Sequence, residues 1–211
     1  MKIRTFEVGP FLENTYLLSK DSTAILIDPG FSTESEYSAF KNVLQSSKAE
    51  LVAIVLTHAH VDHVLGIQRV LKDFKIPVYS NIEDLFLWEN FGNQATMFGL
   101  NQVGFSFMPE PLPTEGNFEV GELEFECIFT PGHSPDHTTL YFSDEELAIS
   151  GDALFRESIG RTDLYKGDFE LLKKSITEKL YSLPNQTKIY PGHGLPTTIG
   201  HEKLNNPFIR A

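Results

Sequence analysis

The spacing of apolar and polar positions predicts a mixed α/β chain that opens with strands. Short apolar or alternating runs indicate strands, whereas apolar positions three and four apart indicate helices. The predicted strands are Lys2–Val8, Asn14–Leu18, Thr23–Asp28, Leu51–Leu56, Pro77–Ser80, Phe118–Val120, Leu123–Phe129, Thr138–Phe142, Leu147–Ser150 and Lys188–Tyr190. The predicted helices are Ser32–Gln45, Val61–Phe74, one capped by Asn81, and one that Asp168 caps and that ends near Tyr181.

The order of these elements favours an α/β (α+β) architecture of two packed mixed β-sheets with helices on the outer faces. Each sheet needs a second layer against its apolar face, and helices cover what remains. Residues 92–117, rich in glycine, proline and aromatic side chains, are predicted to be irregular. The sequence has neither an internal repeat nor a linker-like segment, so we expect residues 1–211 to form a single domain.

Composition narrows the classes of function. The formal net charge of −12 and the lack of long Lys/Arg runs argue against nucleic-acid binding. No apolar run approaches the ~20 residues of a membrane-spanning helix, and the N-terminal residues lack the apolar core of a signal peptide. The one cysteine, Cys127, lies in an alternating apolar run and is predicted to be a buried hydrophobic residue. We therefore expect a cytoplasmic protein that binds no membrane.

Three of the seven histidines fall within six residues, in the run Thr57-His-Ala-His-Val-Asp-His63. Residues two apart in an extended segment point to the same side, so His58 and His60 can bind one ion. Asp62 and His63 fall where the chain turns into a helix, and they can face a second ion. Imidazole and carboxylate together suit zinc, iron or manganese.

Further metal-ligand candidates stand beside turn residues at strand ends. His133 follows Thr130-Pro-Gly, Asp152 follows Ser150-Gly, and His193 follows Pro191-Gly. Each alone is an ordinary turn, but rigid scaffolds often present functional side chains in this way. The three together with the upstream cluster predict a metal centre.

These motifs, in this order, resemble the metallo-β-lactamase-fold hydrolase superfamily. The resemblance runs from Asp28-Pro-Gly30 to the C-terminus and implies an αββα sandwich. It implies two divalent ions, with zinc expected and iron or manganese as alternatives. The first ion would be held by His58, His60 and His133, the second by Asp62, His63 and His193, with Asp152 bridging both.

Within that superfamily the chain resembles short members of the glyoxalase II-like thioesterases, the hydroxyacylglutathione hydrolase relatives. The resemblance rests on Thr130–His137, Gly151–Phe155, Gly160–Asp163 and the ending from Gly192. The chain stops soon after the last ligand, without room for the C-terminal helical domain that grips glutathione in the long forms. The resemblance implies hydrolysis of a small-molecule thioester by a monomer or small homo-oligomer.

Supporting roles are expected of two of the ligands and of several residues outside the ligand set. Asp62 and Asp152 are expected to orient the nucleophile as well as to bind metal. Arg161 and Tyr165 are expected to bind substrate, and His137 to orient a ligand or the substrate. Two residues had equally weighted interpretations, as turn or strand-end residues or as supports of the ligands, namely Asp28 and Thr57.

Other functions stay open on the same motifs. Persulfide dioxygenases share the fold and use a single iron held by the counterparts of His58, His133 and Asp152. Lactonases and other ester or amide hydrolases are further alternatives, because a fold does not fix a function. A non-enzymatic metal-binding module is a third class, disfavoured because structural zinc sites usually have four closed ligands.

Overall fold

The computed structural model describes residues 1–210. The chain divides into two compact units, the first comprising residues 1–112 and 119–123, the second residues 113–118 and the chain from residue 124 onward. The expectation of a single domain stays a prediction. None of the helices in residues 1–210 has the length and hydropathy that a membrane-spanning helix requires.

The first unit contains a mixed sheet in the order β1-β2-β3-β4-β5-β6, which is antiparallel from β1 to β3 and parallel from β3 to β6. Every residue of β3 is buried, as the continuous apolar run predicts. The strands are β1 (Lys2–Val8), β2 (Glu13–Lys20), β3 (Thr23–Ile27), β4 (Glu50–Val55), β5 (Val78–Ser80) and β6 (Glu110–Pro111).

The helices of the first unit are α1 (Glu34–Ser47), α2 (Val61–Val64), α3 (Ile67–Asp73), α4 (Phe86–Glu89) and α5 (Phe91–Met97). A capping box fixes the start of α1, because the Thr33 hydroxyl accepts a hydrogen bond from the Glu36 amide and the Glu36 carboxylate accepts one from the Thr33 amide. The buried face of α1 carries Tyr37, Phe40 and Leu44, at helical spacing.

The second mixed sheet has the order β14-β13-β10-β9-β8-β7, in which β10 and β13 pair in parallel, whereas β8–β9, β9–β10 and β13–β14 are antiparallel. Its strands are β7 (Gly116–Val120), β8 (Leu123–Phe129), β9 (Thr138–Phe142), β10 (Leu147–Gly151), β13 (Lys188–Pro191) and β14 (Thr197–Thr198). A small hairpin adds β11 (Leu154–Phe155) and β12 (Ser158–Ile159), and the helices are α6 (Phe169–Lys174) and α7 (Ile199–Asn205). The Asp168 carboxylate accepts a hydrogen bond from the Leu171 amide at 3.0 Å and caps α6 as predicted.

The predicted helix Val61–Phe74 was wrong in one respect, because two residues interrupt it between α2 and α3. Gly66 donates its amide hydrogen to the Pro29 carbonyl at 2.7 Å, and a Cβ there would lie 2.8 Å from that oxygen. The break therefore lets the chain approach the Asp28–Gly30 turn closely. The sequence pattern of apolar positions does not reveal such a backbone contact.

Two further predictions about the middle of the chain were wrong. Asn81 does not cap a helix, because its side chain accepts a hydrogen bond from the Glu83 amide in a turn and the next helix begins at Phe86. Residues 92–117 are not irregular throughout, since α5 and β6 overlap this segment. The ring of Phe105 stacks on Phe91 and Trp88, at centroid distances of 4.4 and 4.1 Å, and this packing orders the helices.

Candidate metal centre

The first set of candidate ligands lies where β4 ends and α2 begins. The chain bends at Thr57, His60 is extended, and α2 starts at Val61, so one short turn carries three imidazoles and a carboxylate. His58 and His63 are completely buried, and their ring centroids lie 4.1 Å apart. Asp62 is the most accessible of the four, with 16% of its side chain exposed. The first unit thus brings together four of the seven predicted ligands.

Asp28 supports this turn from behind. Its carboxylate accepts hydrogen bonds from the Thr57 amide at 2.8 Å, the Thr57 hydroxyl at 2.5 Å and His63 Nδ1 at 3.0 Å. Of the two interpretations of Asp28, the structure therefore favours support of the ligands. Ligand atoms of Asp28, His58 and His63 lie within 4.8 Å of one another, yet the engaged oxygens of Asp28 mark it as a positioning residue.

The same hydrogen bonds fix which imidazole nitrogen is available. The Thr57 hydroxyl donates its one hydrogen to Asp28, so it accepts from His58 Nδ1 at 3.0 Å. His63 Nδ1 likewise donates to the Asp28 carboxylate. Both rings therefore carry the proton on Nδ1 and present the lone pair of Nε2, which is the arrangement common in metal-binding histidines. Thr57 is thus a second support of the ligands.

Glu13 is a further buried carboxyl group in the same unit, and it was not predicted from the sequence. Its Oε1 lies 3.9 Å from His63 Nδ1, and its Oε2 accepts a hydrogen bond from the Thr15 hydroxyl at 2.9 Å. Burial raises the pKa of Glu13 well above its usual value, although the nearby His63 opposes that shift. A charged residue at the start of an otherwise buried strand is the signal that could have revealed it.

The second set of candidate ligands begins with His133, in the turn after β8. Gly132 has a φ of +127°, and a Cβ there would collide with Leu172. The Gly132 carbonyl accepts a hydrogen bond from the Asp168 amide at 2.8 Å, which anchors the turn on the start of α6. His133 Nδ1 donates to the Arg161 carbonyl at 2.8 Å, so Nε2 again presents its lone pair.

Asp152 faces two imidazoles with one oxygen atom. Its Oδ2 lies 3.5 Å from His133 Nε2 and 3.6 Å from His193 Nε2. The turns that carry Asp152 and His193 are joined, because the Gly192 amide donates to the Gly151 carbonyl at 2.8 Å. A carboxylate oxygen between two imidazoles is the arrangement expected of a ligand shared by two cations.

His137 lies directly behind Asp152. Its ring is fully buried, its Nε2 accepts a hydrogen bond from the Asp152 amide at 3.0 Å, and its Nδ1 lies 2.8 Å from the Thr130 hydroxyl. Both nitrogens are therefore engaged within the protein. His137 is thus held against Asp152, and its assignment to orienting a ligand or the substrate stays a prediction.

Gly160 makes a close backbone approach to the same residues. A Cβ at this position would collide with the Asp152 carbonyl oxygen and would lie 3.0 Å from His133 Nδ1. The Gly160 amide also donates to the Ala153 carbonyl at 3.4 Å. Only glycine fits there without displacing the two ligand-bearing turns. This gives a physical reason for the glycine in the Gly160–Asp163 motif.

The two other predicted substrate-binding residues lie on the loop after β12. The Arg161 side chain is 59% exposed and forms a bidentate ion pair with Asp163, at 2.7 and 2.8 Å. This hydrogen-bonded pair lowers the pKa of Asp163 to about 2. The half-buried ring of Tyr165 lies 5.4 Å from Lys166 Nζ. The assignments of Arg161 and Tyr165 to substrate binding stay predictions.

Cys127 is buried, as predicted. Burial raises the pKa of its thiol to about 12, with nearby carboxylates adding to the effect. The thiolate is the nucleophilic form of cysteine, so this side chain is unsuited to nucleophilic catalysis.

The donor chemistry of the two sets fits divalent metal ions. The predicted ligands are five imidazoles and two carboxylates. In three of the imidazoles a hydrogen bond holds Nδ1. The carboxylate of Asp152 faces two of the rings. Such outer hydrogen bonds orient metal-binding histidines and raise their basicity. The set exceeds the four ligands of one structural zinc site, as a pair of ions requires.

Comparison with known proteins identifies the family. Residues 8–193 match the metallo-beta-lactamase superfamily. The chain belongs to this superfamily. It is 36% identical to the probable metallo-hydrolase YqgX of Bacillus subtilis, over 99% of this chain and 98% of that protein. It is 35% identical to the hydroxyacylglutathione hydrolase GloC of Haemophilus influenzae, over 100% and 99% of the two chains.

Two solved structures share the fold of this chain. BLEG-1 B3 metallo-beta-lactamase matches with a TM-score of 0.90 and 34% identity over the whole of both chains. TTHA1623 in a di-iron-bound form matches with a TM-score of 0.87 and 37% identity, over 98% of this chain and 100% of that one. The predicted fold class is therefore confirmed as the α/β sandwich of the superfamily, with two mixed sheets and helices. The chain is a metallo-hydrolase of this superfamily.

Proposed function

We propose that this metallo-hydrolase has a dinuclear centre and cleaves small-molecule thioesters of the S-acylglutathione type. The observation that carries the dinuclear part is the single Asp152 oxygen that faces both His133 and His193. The thioester part is supported by the hydroxyacylglutathione hydrolase of Haemophilus influenzae, which is similar along the whole chain. Both parts agree with the motifs in the sequence.

Seven residues are proposed as metal ligands. His58, His60 and His133 would serve one ion, Asp62, His63 and His193 the other, with Asp152 shared. Zinc is the proposed metal, and iron is the principal alternative because a structure at 37% identity is di-iron-bound. The cytoplasmic location and the monomer or small homo-oligomer stay predictions from sequence.

The chain's own residues prepare the site for hydrolysis. Bound divalent ions supply the Lewis acidity that lowers the pKa of a water from ~16 towards ~7 and polarises an acyl carbonyl. Asp62 and Asp152 hold the attacking water by accepting its hydrogen bonds, while Asp28 and His137 keep the ligands in place. The leaving thiolate has a conjugate acid of pKa ~8.5, so no strong general acid is required.

Turnover of S-lactoylglutathione with and without a chelator tests this proposal. We expect thiol release that stops with the chelator and returns when Zn²⁺ is added. The same protein should consume no oxygen with glutathione persulfide. Oxygen uptake on the persulfide, with no thioester cleavage, would instead establish the mono-iron dioxygenase. Cleavage of lactones or of other esters and amides at a higher kcat/KM would identify those alternatives.

The Asp152→Asn variant tests the shared ligand. The asparagine amide keeps one oxygen but is neutral and binds a cation more weakly than a carboxylate, so the variant should hold fewer ions than the wild type and lose hydrolysis. Asp144→Asn is the matched control, because Asp144 is exposed in the turn between β9 and β10 of the same unit. Asp152→Asn with full metal content and full activity would contradict the proposed role.

A further inference from the structure

The second unit contains an open cavity of about 410 Å³. Its walls include the side chains of Arg156, Lys188, Tyr190 and His201. Arg156 lies in the turn of the β11–β12 hairpin, and Lys188 begins β13. Two permanent cations therefore line one concave surface, in a chain whose formal net charge is −12.

Neither of these two cations is neutralised within the part of the chain that the structure describes. Arg156 and Lys188 form no ion pair or side-chain hydrogen bond among residues 1–210. With 29 acidic residues against 17 basic ones, a carboxylate partner would be easy to supply. His201 differs, because its Nε2 lies 2.9 Å from Glu157 Oε1 and is already paired. The cavity therefore offers a guanidinium and an ammonium group to an external anion.

The hairpin that presents Arg156 is fixed on α7. The Glu157 amide donates to the buried Glu202 carboxylate at 2.9 Å, and the Asn206 amide group donates to the Ser158 carbonyl at 3.1 Å. These bonds hold the turn at Glu157 and at Ser158, directly after Arg156. A cation on a fixed turn loses less conformational entropy on binding than one on a mobile loop.

The cavity adjoins the segment that carries a predicted metal ligand. Tyr190 and Pro196 line the cavity, and His193 lies between them in the chain. The ring of Phe155, the neighbour of Arg156, lies edge-on to the His193 ring with centroids 6.0 Å apart. An elongated ligand bound in the cavity would thus run beside the His193 segment.

We propose that this cavity is a carboxylate-binding subsite for the thiol-carrying part of the substrate. The inference rests on the proposed thioesterase function. Glutathione has two carboxylates remote from its sulfur, and a guanidinium fork with a neighbouring ammonium group matches such carboxylates.

Paired substrates test the subsite. The Arg156→Gln and Lys188→Gln variants would be assayed with S-lactoylglutathione and with the S-lactoyl thioester of N-acetylcysteamine, which has no carboxylate. Because exposed ion pairs are weak, we expect each variant to raise KM for the glutathione thioester about two- to five-fold at unchanged kcat. KM for the neutral thioester should not change. Lys173→Gln, an exposed lysine on α6 that does not line the cavity, is the control.

A binding measurement keeps this test separate from the proposed function. Glutathione would be titrated calorimetrically into metal-free protein, where we expect binding that weakens in both variants and with added salt. Such binding without thioester hydrolysis would uphold the subsite while the thioesterase function fails. Equal glutathione affinity in wild type and both variants, or equal KM changes for both thioesters, would overturn the subsite. Competition by inorganic phosphate as strong as by glutathione would also overturn the assignment to carboxylates.

Discussion

The Asp28→Asn substitution isolates the contribution of the hydrogen bonds behind the metal ligands. Asp28 is 1% exposed and has a φ of +47°, in the left-handed region. Asparagine has nearly the same size and tolerates this region about as well as aspartate. The substitution therefore changes the hydrogen-bonding capacity of the side chain and leaves the backbone without new strain.

The magnitude follows from the three hydrogen bonds that the Asp28 carboxylate accepts. If the asparagine oxygen faces the Thr57 amide, its NH₂ group faces the Thr57 hydroxyl and His63 Nδ1, both of which act as donors in the wild type. With the amide reversed, only the Thr57 amide loses its acceptor. In the first orientation two hydrogen bonds to a charged group are lost, at about 1.5 kcal/mol or more each, so unfolding should be easier by about 1.5–3 kcal/mol. His63 can recover one bond only by moving its proton to Nε2, the nitrogen proposed to bind metal.

Metal affinity should therefore fall by about 10- to 100-fold, the usual cost of removing such an outer partner. Competition with a chromogenic chelator measures the affinity, and urea unfolding of the metal-free protein measures the stability separately. Asp73→Asn is the matched control, because Asp73 is a surface carboxylate of the same unit that accepts bonds from Tyr37 and Lys41. Wild-type metal affinity in folded Asp28→Asn would refute the positioning role.

Three further predictions follow from the second unit. Gly160→Ala should lower the unfolding free energy by about 1–3 kcal/mol and weaken metal binding, because the alanine Cβ would collide with the Asp152 carbonyl oxygen. An unchanged urea midpoint would contradict this prediction. Arg161→Gln should raise the pKa of Asp163 from about 2 towards ~3.9 in an NMR titration. In the wild type the ion pair stabilises the fold above about pH 4, and this stabilisation disappears as the pH falls towards 2. The variant should lack it. An unchanged Asp163 pKa would show that the pair is not formed in solution. Asp168→Ala should cost about 1 kcal/mol in urea unfolding by removing the cap of α6, and no loss would mean that the cap is dispensable.

Local sequence patterns predicted most of the regular elements. The first strand was placed with the bounds that the structure has, and the β9–β10 hairpin differs by one residue at its end. Alternating or continuous apolar runs and a capping aspartate are local features, so they can be read without knowledge of the tertiary structure. This is why Asp168 was recognised as the start of α6.

The errors arose where distant contacts decide the local structure. The break at Gly66 depends on the Pro29 carbonyl, which is far away in the sequence. The α5 helix, Phe91–Met97, contains a glycine and depends on aromatic stacking with Phe105. α7, which provides the buried Glu202, was not predicted at all. Tertiary packing of this kind overrides local propensity.

The candidate ligands could be found from sequence because metal chemistry restricts residue types and spacings. Of the groups that hold these ligands in place, only some could be predicted from the sequence. Asp28 and Thr57 were ambiguous, since a turn residue and a hydrogen-bonding partner look the same in one sequence. Glu13 and the Arg161 carbonyl were missed, because a buried carboxyl group and a backbone acceptor leave no motif.

The number of zinc ions bound per chain is the most direct test of a dinuclear centre. The purified protein would be loaded with Zn²⁺, freed of excess ion, and analysed for zinc per chain alongside Asp152→Asn. We predict about two ions per wild-type chain and fewer in the variant, because one Asp152 oxygen faces both His133 and His193. One ion per wild-type chain, unaffected by the loss of the Asp152 carboxylate, would contradict a dinuclear centre.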